Sequence, residues 1–147
     1  MKSGDTMNKY LLIVLFLIAL FLGSCGILPI DKSGGLSETA WTLVSYNGDS
    51  LISGSSMTAF FEDGEVNGSA SCNHYFGSYK TKGNQIQIEG LGWTEMACMD
   101  PEGIMQQEQQ LMSLLSQAAT YSIQGQELQI STSAGETLTF QYLEILK

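Results

Sequence analysis

The stretch YSIQGQELQISTSAGETLTFQY, Tyr121 to Tyr142, decides the fold. Tyr121 and Ile123, then Leu128 and Ile130, then Leu138, Phe140 and Tyr142 alternate with Ser, Thr, Gln and Glu, and Gly125 and Gly135 punctuate the runs. A period of two with the apolar residues on one side marks antiparallel strands with one face in water. The same period runs upstream. Trp41 and Leu43 alternate with Thr42 and Val44 ahead of a turn at Asn47-Gly48-Asp49. Thr58–Glu62 and Glu65–Ser69 flank Asp63-Gly64, a strong hairpin signal because both turn positions tolerate φ > 0. Gln85–Glu89 puts Ile86 and Ile88 on one face, after a turn at Gly83-Asn84.

One segment breaks the period, Asp100 to about Gln117. Asp100 suits an N-cap, Pro101 the first helical position, and Glu102 the positive end of the helix dipole. Ile104, Leu111, Met112 and Leu115 then recur at helical spacing and form a stripe to pack on the sheet. A chain of 147 residues is sized for one domain. The class expected is α+β: a strongly curved antiparallel sheet, or partly open barrel, of about eight short strands packed on one helix.

The N-terminus reads as an address. Thirteen apolar residues, Tyr10–Leu22, follow Asn8-Lys9, a length that suits a signal peptide and falls short of the ~20 residues needed to span a bilayer. The run ends in Leu22-Gly23-Ser24-Cys25, which resembles the lipobox of bacterial lipoproteins. That resemblance implies cleavage after Ser24 and acylation of Cys25; the other reading is an uncleaved anchor continuing through Ile27 and Leu28. The expected organisation is a leader over residues 1–24, a flexible tether over 25–39, and a folded body over 40–147. As a random coil the tether reaches roughly 20 Å r.m.s..

Six lysines, no arginine and fifteen acids give a formal charge of −9. Removing the leader takes out Lys2, Lys9 and Asp5 and leaves −10. Such a body cannot neutralise a phosphate backbone, so no nucleic-acid partner is expected. Anionic lipid repels it too, so membrane attachment falls to the N-terminal lipid.

Phe61 to Tyr79, with Gly68, Cys72-Asn73-His74 and Gly77-x-Tyr79, carries most of the information. Thr94-x-Met96-Ala97-Cys98 and then Glu108 on the helix complete an ordered set that opens with Trp41-x-Leu43. This set resembles the META domain family, which includes the HslJ-like heat-shock lipoproteins of bacterial envelopes, and it covers Ala40 to about Tyr142. Ser71 departs from the pattern, standing where relatives commonly carry glycine, and a serine there disfavours a tight turn with φ > 0. The resemblance implies a compact α+β domain with an envelope role. It carries no catalytic residues and no cofactor.

Once Cys25 is acylated, Cys72 and Cys98 are the thiols left. In an oxidising compartment an even pair suggests a disulfide, which would close a loop of about 27 residues and stabilise by roughly 3–4 kcal/mol. The alternative is two buried thiols acting as small hydrophobes. Cys72, His74 and Cys98 are too few for a zinc site without a carboxylate, and a cysteine nucleophile would need a free thiol with an oriented base. Glu108 falls on the stripe of Ile104, Leu111 and Leu115, so its carboxylate points toward the sheet or snorkels to the rim. Buried, it needs donors. With no arginine available, the candidates are Asn73, the Trp41 indole, Tyr79 and amides near Thr94, making Glu108 and Asn73 a structural polar clasp.

Trp41, Phe61, Tyr79 and Phe140 are read first as core and second as the lining of an apolar groove. The leading functional expectation is a membrane-tethered, non-enzymatic domain for envelope maintenance or stress response. Alternatives are a binding module for an apolar ligand, acyl chain or envelope protein, and a protease-inhibitor-like binder presenting the segment Gly90–Ala97 with Trp93 exposed.

Overall fold

The computed structural model of the chain describes residues 35–143. The expected leader over 1–24, the expected acylation site Cys25 and the expected tether up to residue 34 lie outside the described residues.

The body runs β1 (Thr39–Tyr46), β2 (Thr58–Glu62), β3 (Glu65–Ser69), β4 (His74–Lys82), β5 (Gln85–Trp93), α1 (Ile104–Ser116), β6 (Ala118–Gln124), β7 (Glu127–Thr132) and β8 (Thr137–Tyr142). Each strand pairs antiparallel with the next, and β8 returns to β1 with Leu43 opposite Phe140, closing an eight-stranded barrel. Eight antiparallel strands and one helix are what the alternation predicts. Closure removes both sheet edges, the alternative to leaving them open.

Local chemistry sets the turns. Asp63 (φ 48°) and Gly64 (φ 82°) both take the left-handed region, the requirement of a type I′ hairpin, so β2 ends at Glu62 and β3 starts at Glu65. Inward positions then follow the period of two. Leu128, Ile130, Leu138 and Phe140 of the tail are all at most 1 % exposed, and each buried side chain of this size contributes about 1.5–3 kcal/mol. Trp41, Phe61, Tyr79 and Phe140 join the same core, with the Tyr79 ring edge-on to Phe61 at 5.0 Å. Core is therefore their role.

In a barrel of consecutive antiparallel strands the connections alternate between the two ends. One end carries the tight turns at 63–64, 83–84 and 125–126 together with the entry to β1. The other end carries the β1–β2 loop, the β3–β4 turn, the β7–β8 turn and the long β5–β6 connection that contains α1. The inner face of α1 (Ile104, Leu111, Leu114, Leu115) is buried and closes that end. Gln107 fixes its approach: the Ile52 amide donates to Gln107 Oε1 at 2.7 Å, and Gln107 Nε2 donates to Ser55 Oγ at 2.8 Å.

Three boundaries differ from the sequence reading. The helix starts at Ile104, not Pro101, and Asp100 does not cap it. Gly103 at φ 84° interrupts any right-handed run, and residues 101–103 form a separate turn closed by the Ile104 amide on the Pro101 carbonyl at 3.1 Å. The end of the tether belongs to the body: Leu36 is 1 % exposed within the core, Thr39 opens β1, and the Thr39 hydroxyl donates to the Leu36 carbonyl. A leucine that can seal the end of a barrel is worth more inside than in solvent. Gly90–Trp93 belongs to β5 rather than to a loop, because Gly92 and Trp93 still pair with Phe76 and Tyr75.

Candidate functional site

The β3–β4 turn organises the helix-capped end. The Ala70 amide donates to the Asn73 carbonyl at 2.7 Å, and Ser71 inside this turn takes φ 87° despite its side chain. Its hydroxyl compensates by donating to the Ser56 carbonyl at 2.7 Å while accepting from the Ser56 amide at 3.2 Å. This positive-φ turn is made by a serine bonded across to a neighbouring loop.

This geometry aims two consecutive amides at α1. The amides of Cys72 and Asn73 donate to Glu108 Oε2 at 3.2 and 2.8 Å, and Asn73 Nδ2 donates to Oε1 at 2.6 Å. Glu108 is 3 % exposed and Asn73 1 %. Asn73 is saturated on its other side: its Oδ1 accepts from Thr94 Oγ1 and from the Met96 amide, both at 2.7 Å, and its Nδ2 also donates to the Met96 carbonyl at 3.1 Å. A single asparagine thus spends every polar atom of its amide on the helix and on residues 94–96. Trp41 and Tyr79 do not reach Glu108; the Trp41 indole donates to Thr39 Oγ1 at 2.7 Å.

A disulfide joins Cys72 to Cys98, with Cα atoms 5.9 Å apart and a separation of 26 residues. It ties the two segments that Asn73 bridges. The Cys98 amide also donates to Met105 Sδ at 3.4 Å, which fixes the end of the loop on the first turn of α1. His74 pairs with Thr94 through its backbone, and its side chain is exposed.

The structure therefore gathers Asn73, Glu108, Thr94, Cys72 and Cys98, and leaves Trp41, Gly68, Gly77 and Tyr79 elsewhere. Gly68 lies against β2, where a Cβ would sit 2.0 Å from the Thr58 carbonyl oxygen; Gly77 faces the Glu89 carbonyl, 3.1 Å from its own would-be Cβ. Both glycines serve strand packing. Trp41 meets Tyr142 edge-on at 5.4 Å. Gln107 was missed by the sequence reading, although its place three residues after Ile104 carried the signal.

Beside the clasp an open groove of about 310 Å³ is lined by Trp93, Met105, Gln106, Glu108, Gln109 and Met112. Among the described residues no three of His, Cys, Asp and Glu come together as a metal-binding group. In the core, burial pushes the Tyr75 phenol far above its ordinary value of 10.0, and its hydroxyl donates to the Thr58 carbonyl at 2.7 Å.

A model of the META domain matches residues 34–144. Among solved structures, the chain is similar to a protein from Burkholderia xenovorans determined by NMR, at 26 % identity and a TM-score of 0.65 over 75 % of this chain and 85 % of that one. A second protein determined by NMR matches at 22 % identity and a TM-score of 0.58, over 71 % of this chain and 89 % of that one. A DUF4847 family protein from Bacteroides vulgatus matches at 11 % identity and a TM-score of 0.56, over 77 % of this chain and 98 % of that one. The last two likenesses concern the fold alone. No curated protein matches the chain.

Proposed function

Because this chain belongs to the META domain family, whose model spans the entire described body, we propose that it is a non-enzymatic binding domain, tethered to a membrane of the bacterial envelope through acylated Cys25 and serving envelope maintenance or stress response. The observation that carries the reading is the Cys72–Cys98 disulfide. Such bonds persist in oxidising compartments, outside the cytoplasm, and this one uses the two sulfurs that acylation of Cys25 would leave.

The commitment of polar groups and the filled core also support binding over catalysis. The buried carboxylate Glu108 is held by three N–H donors from the β3–β4 turn, and both thiols of the body are joined to each other. Groups that chemistry would otherwise recruit are committed to structure. The barrel interior is filled by aromatic core, with Trp41, Phe61 and Phe140 at most 1 % exposed, which favours contacts on the outer surface over a ligand inside.

The test is metabolic labelling of the native host with an alkyne fatty acid. The wild-type chain is expected to take the label and sediment with membranes, and Cys25→Ser to lose both. The same pair is then compared for rescue of a deletion strain under heat and detergent stress. A wild-type chain that stays unlabelled and soluble in the cytoplasm overturns the reading.

A further inference from the structure

Trp93, Met96 and Met99 are 47 %, 51 % and 92 % exposed within seven consecutive residues. Trp93 is one wall of the groove whose other wall is Met105 and Met112 of α1, and the amide of Cys98, between the two exposed methionines, bonds Met105 of that wall. Apolar side chains left in water at this density mark an interaction surface. We propose that this surface docks a cationic amphipathic helix, presented by a protein or peptide in the envelope; the proposal rests on the reading of the chain as a binding domain and names its partner.

Shape is the first argument. Met105, Glu108, Gln109 and Met112 are spaced i, i+3, i+4, i+7, so the helical wall of the groove is two turns long, about 10 Å. That is the span over which a partner helix lays its own i, i+3, i+4, i+7 anchors. Methionine side chains are flexible and polarisable and adapt to anchors of different shape.

Preorganisation is the second. The backbone under the exposed methionines is pinned: Asn73 grips both the amide and the carbonyl of Met96, the disulfide holds Cys98, and Met105 Sδ accepts from the Cys98 amide. A surface fixed before contact loses less entropy on binding. The buried clasp thus presents an apolar platform as well as holding the helix.

Charge decides the occupant. From Trp93 to Gln117 the chain has Glu95, Asp100, Glu102 and Glu108 and no lysine or arginine. The first three are exposed and lie in the same stretch of chain as Trp93, Met96 and Met99. The two lysines among the described residues, Lys80 and Lys82, lie on β4 near the β4–β5 turn at the opposite end of the barrel. Fatty acids and anionic lipid meet repulsion here, whereas lysines flanking an apolar stripe meet complementary charge.

The probe is a 14-residue amidated peptide of leucine and lysine at helical spacing with one diazirine-bearing leucine, added to the full chain in nanodiscs of zwitterionic lipid, with empty discs as background. Photo-crosslinks are expected on Trp93, Met96, Met99 or α1 residues lining the groove. Yield should fall at least fivefold in Trp93→Ala and in the triple variant Glu95→Gln, Asp100→Asn, Glu102→Gln, with unchanged thermal unfolding of both. It should also fall for a scrambled peptide of equal charge. Equal yield from the scrambled peptide, equal yield from a glutamate analogue, crosslinks scattered over the barrel, or no crosslink above background each overturn the proposal. Acylation of Cys25 is read separately, so a failed tether with an occupied groove, or the reverse, assigns the failure to one idea.

Discussion

A carboxylate removed from water is tolerated only where donors replace the water it loses. Glu108 meets that demand with the amides of Cys72 and Asn73 on one oxygen and Asn73 Nδ2 on the other. In Glu108→Gln one of those oxygens becomes an NH₂ facing a buried donor, and the remaining bonds lose their charge assistance. The expected loss is about 2–4 kcal/mol, read as a lower urea midpoint at unchanged slope; unaltered stability would remove the clasp. Tyr75 gives a prediction in pH. Burial raises its pKa far above 10.0, so the folded state holds this proton more tightly than the unfolded chain does. The stabilisation is fully present below pH ~10 and is lost as pH rises above it. Absorbance at 295 nm should show Tyr75 ionising only together with loss of far-UV signal. Tyr75 ionising reversibly in a folded protein near pH 10 would contradict its burial. The inward aim of Glu108 was legible, because Ile104, Leu111 and Leu115 share its stripe. Asn73 was legible as a donor too, but the backbone amides of Cys72 and Asn73 were not, because they depend on how the β3–β4 turn and α1 meet at sequence separations of 36 and 35.

At the scale of the element, the hairpins were legible and the helix start was not, for one reason. A two-residue turn such as Asp63-Gly64 is set by the dihedrals its own residues tolerate. The start of α1 is set by Gly103, whose left-handed backbone packs against Ile52 from a different loop, 3.3 Å from where a Cβ would stand. Gly68 joins the two cases. It reads from sequence as a motif glycine in a strand, yet its requirement is tertiary: β2 approaches so closely that a Cβ would lie 2.0 Å from the Thr58 carbonyl oxygen, the same oxygen that accepts from the Tyr75 hydroxyl. Gly68→Ala must therefore push β3 off β2 and break that hydrogen bond. A destabilisation of about 3 kcal/mol or more is expected, against about 1 kcal/mol for Gly103→Ala, which mainly suffers from its positive φ. Equal denaturation midpoints for the two variants would refute the distinction.

For the whole molecule, about eight antiparallel strands followed from alternation and turns, whereas closure did not, because the pairing of β8 with β1 joins residues about a hundred positions apart. The closed ladder is not uniform. β4 and β5 pair from Tyr75 opposite Trp93 to Lys82 opposite Gln85, but β5 and β6 register only at Gln85 opposite Thr120, beside a bond from the Tyr121 amide to the Asn84 carbonyl at 2.8 Å. α1 packs against β5, β7 and β8, and a cleft of about 420 Å³ between Gln85–Gln87 and Ala119 lies at the seam. Opening it costs few hydrogen bonds and exposes little of the core, so it should be the lowest-energy excursion of the folded barrel. Native-state hydrogen exchange tests this directly. The Tyr121 amide is expected to exchange by a local route nearly independent of denaturant, while the β7–β8 ladder, whose Leu128 and Phe140 face each other in the core, exchanges only by global unfolding. Tyr121 exchanging with the full denaturant dependence of β7 and β8 would mean that the seam is as firmly closed as any other pair of strands.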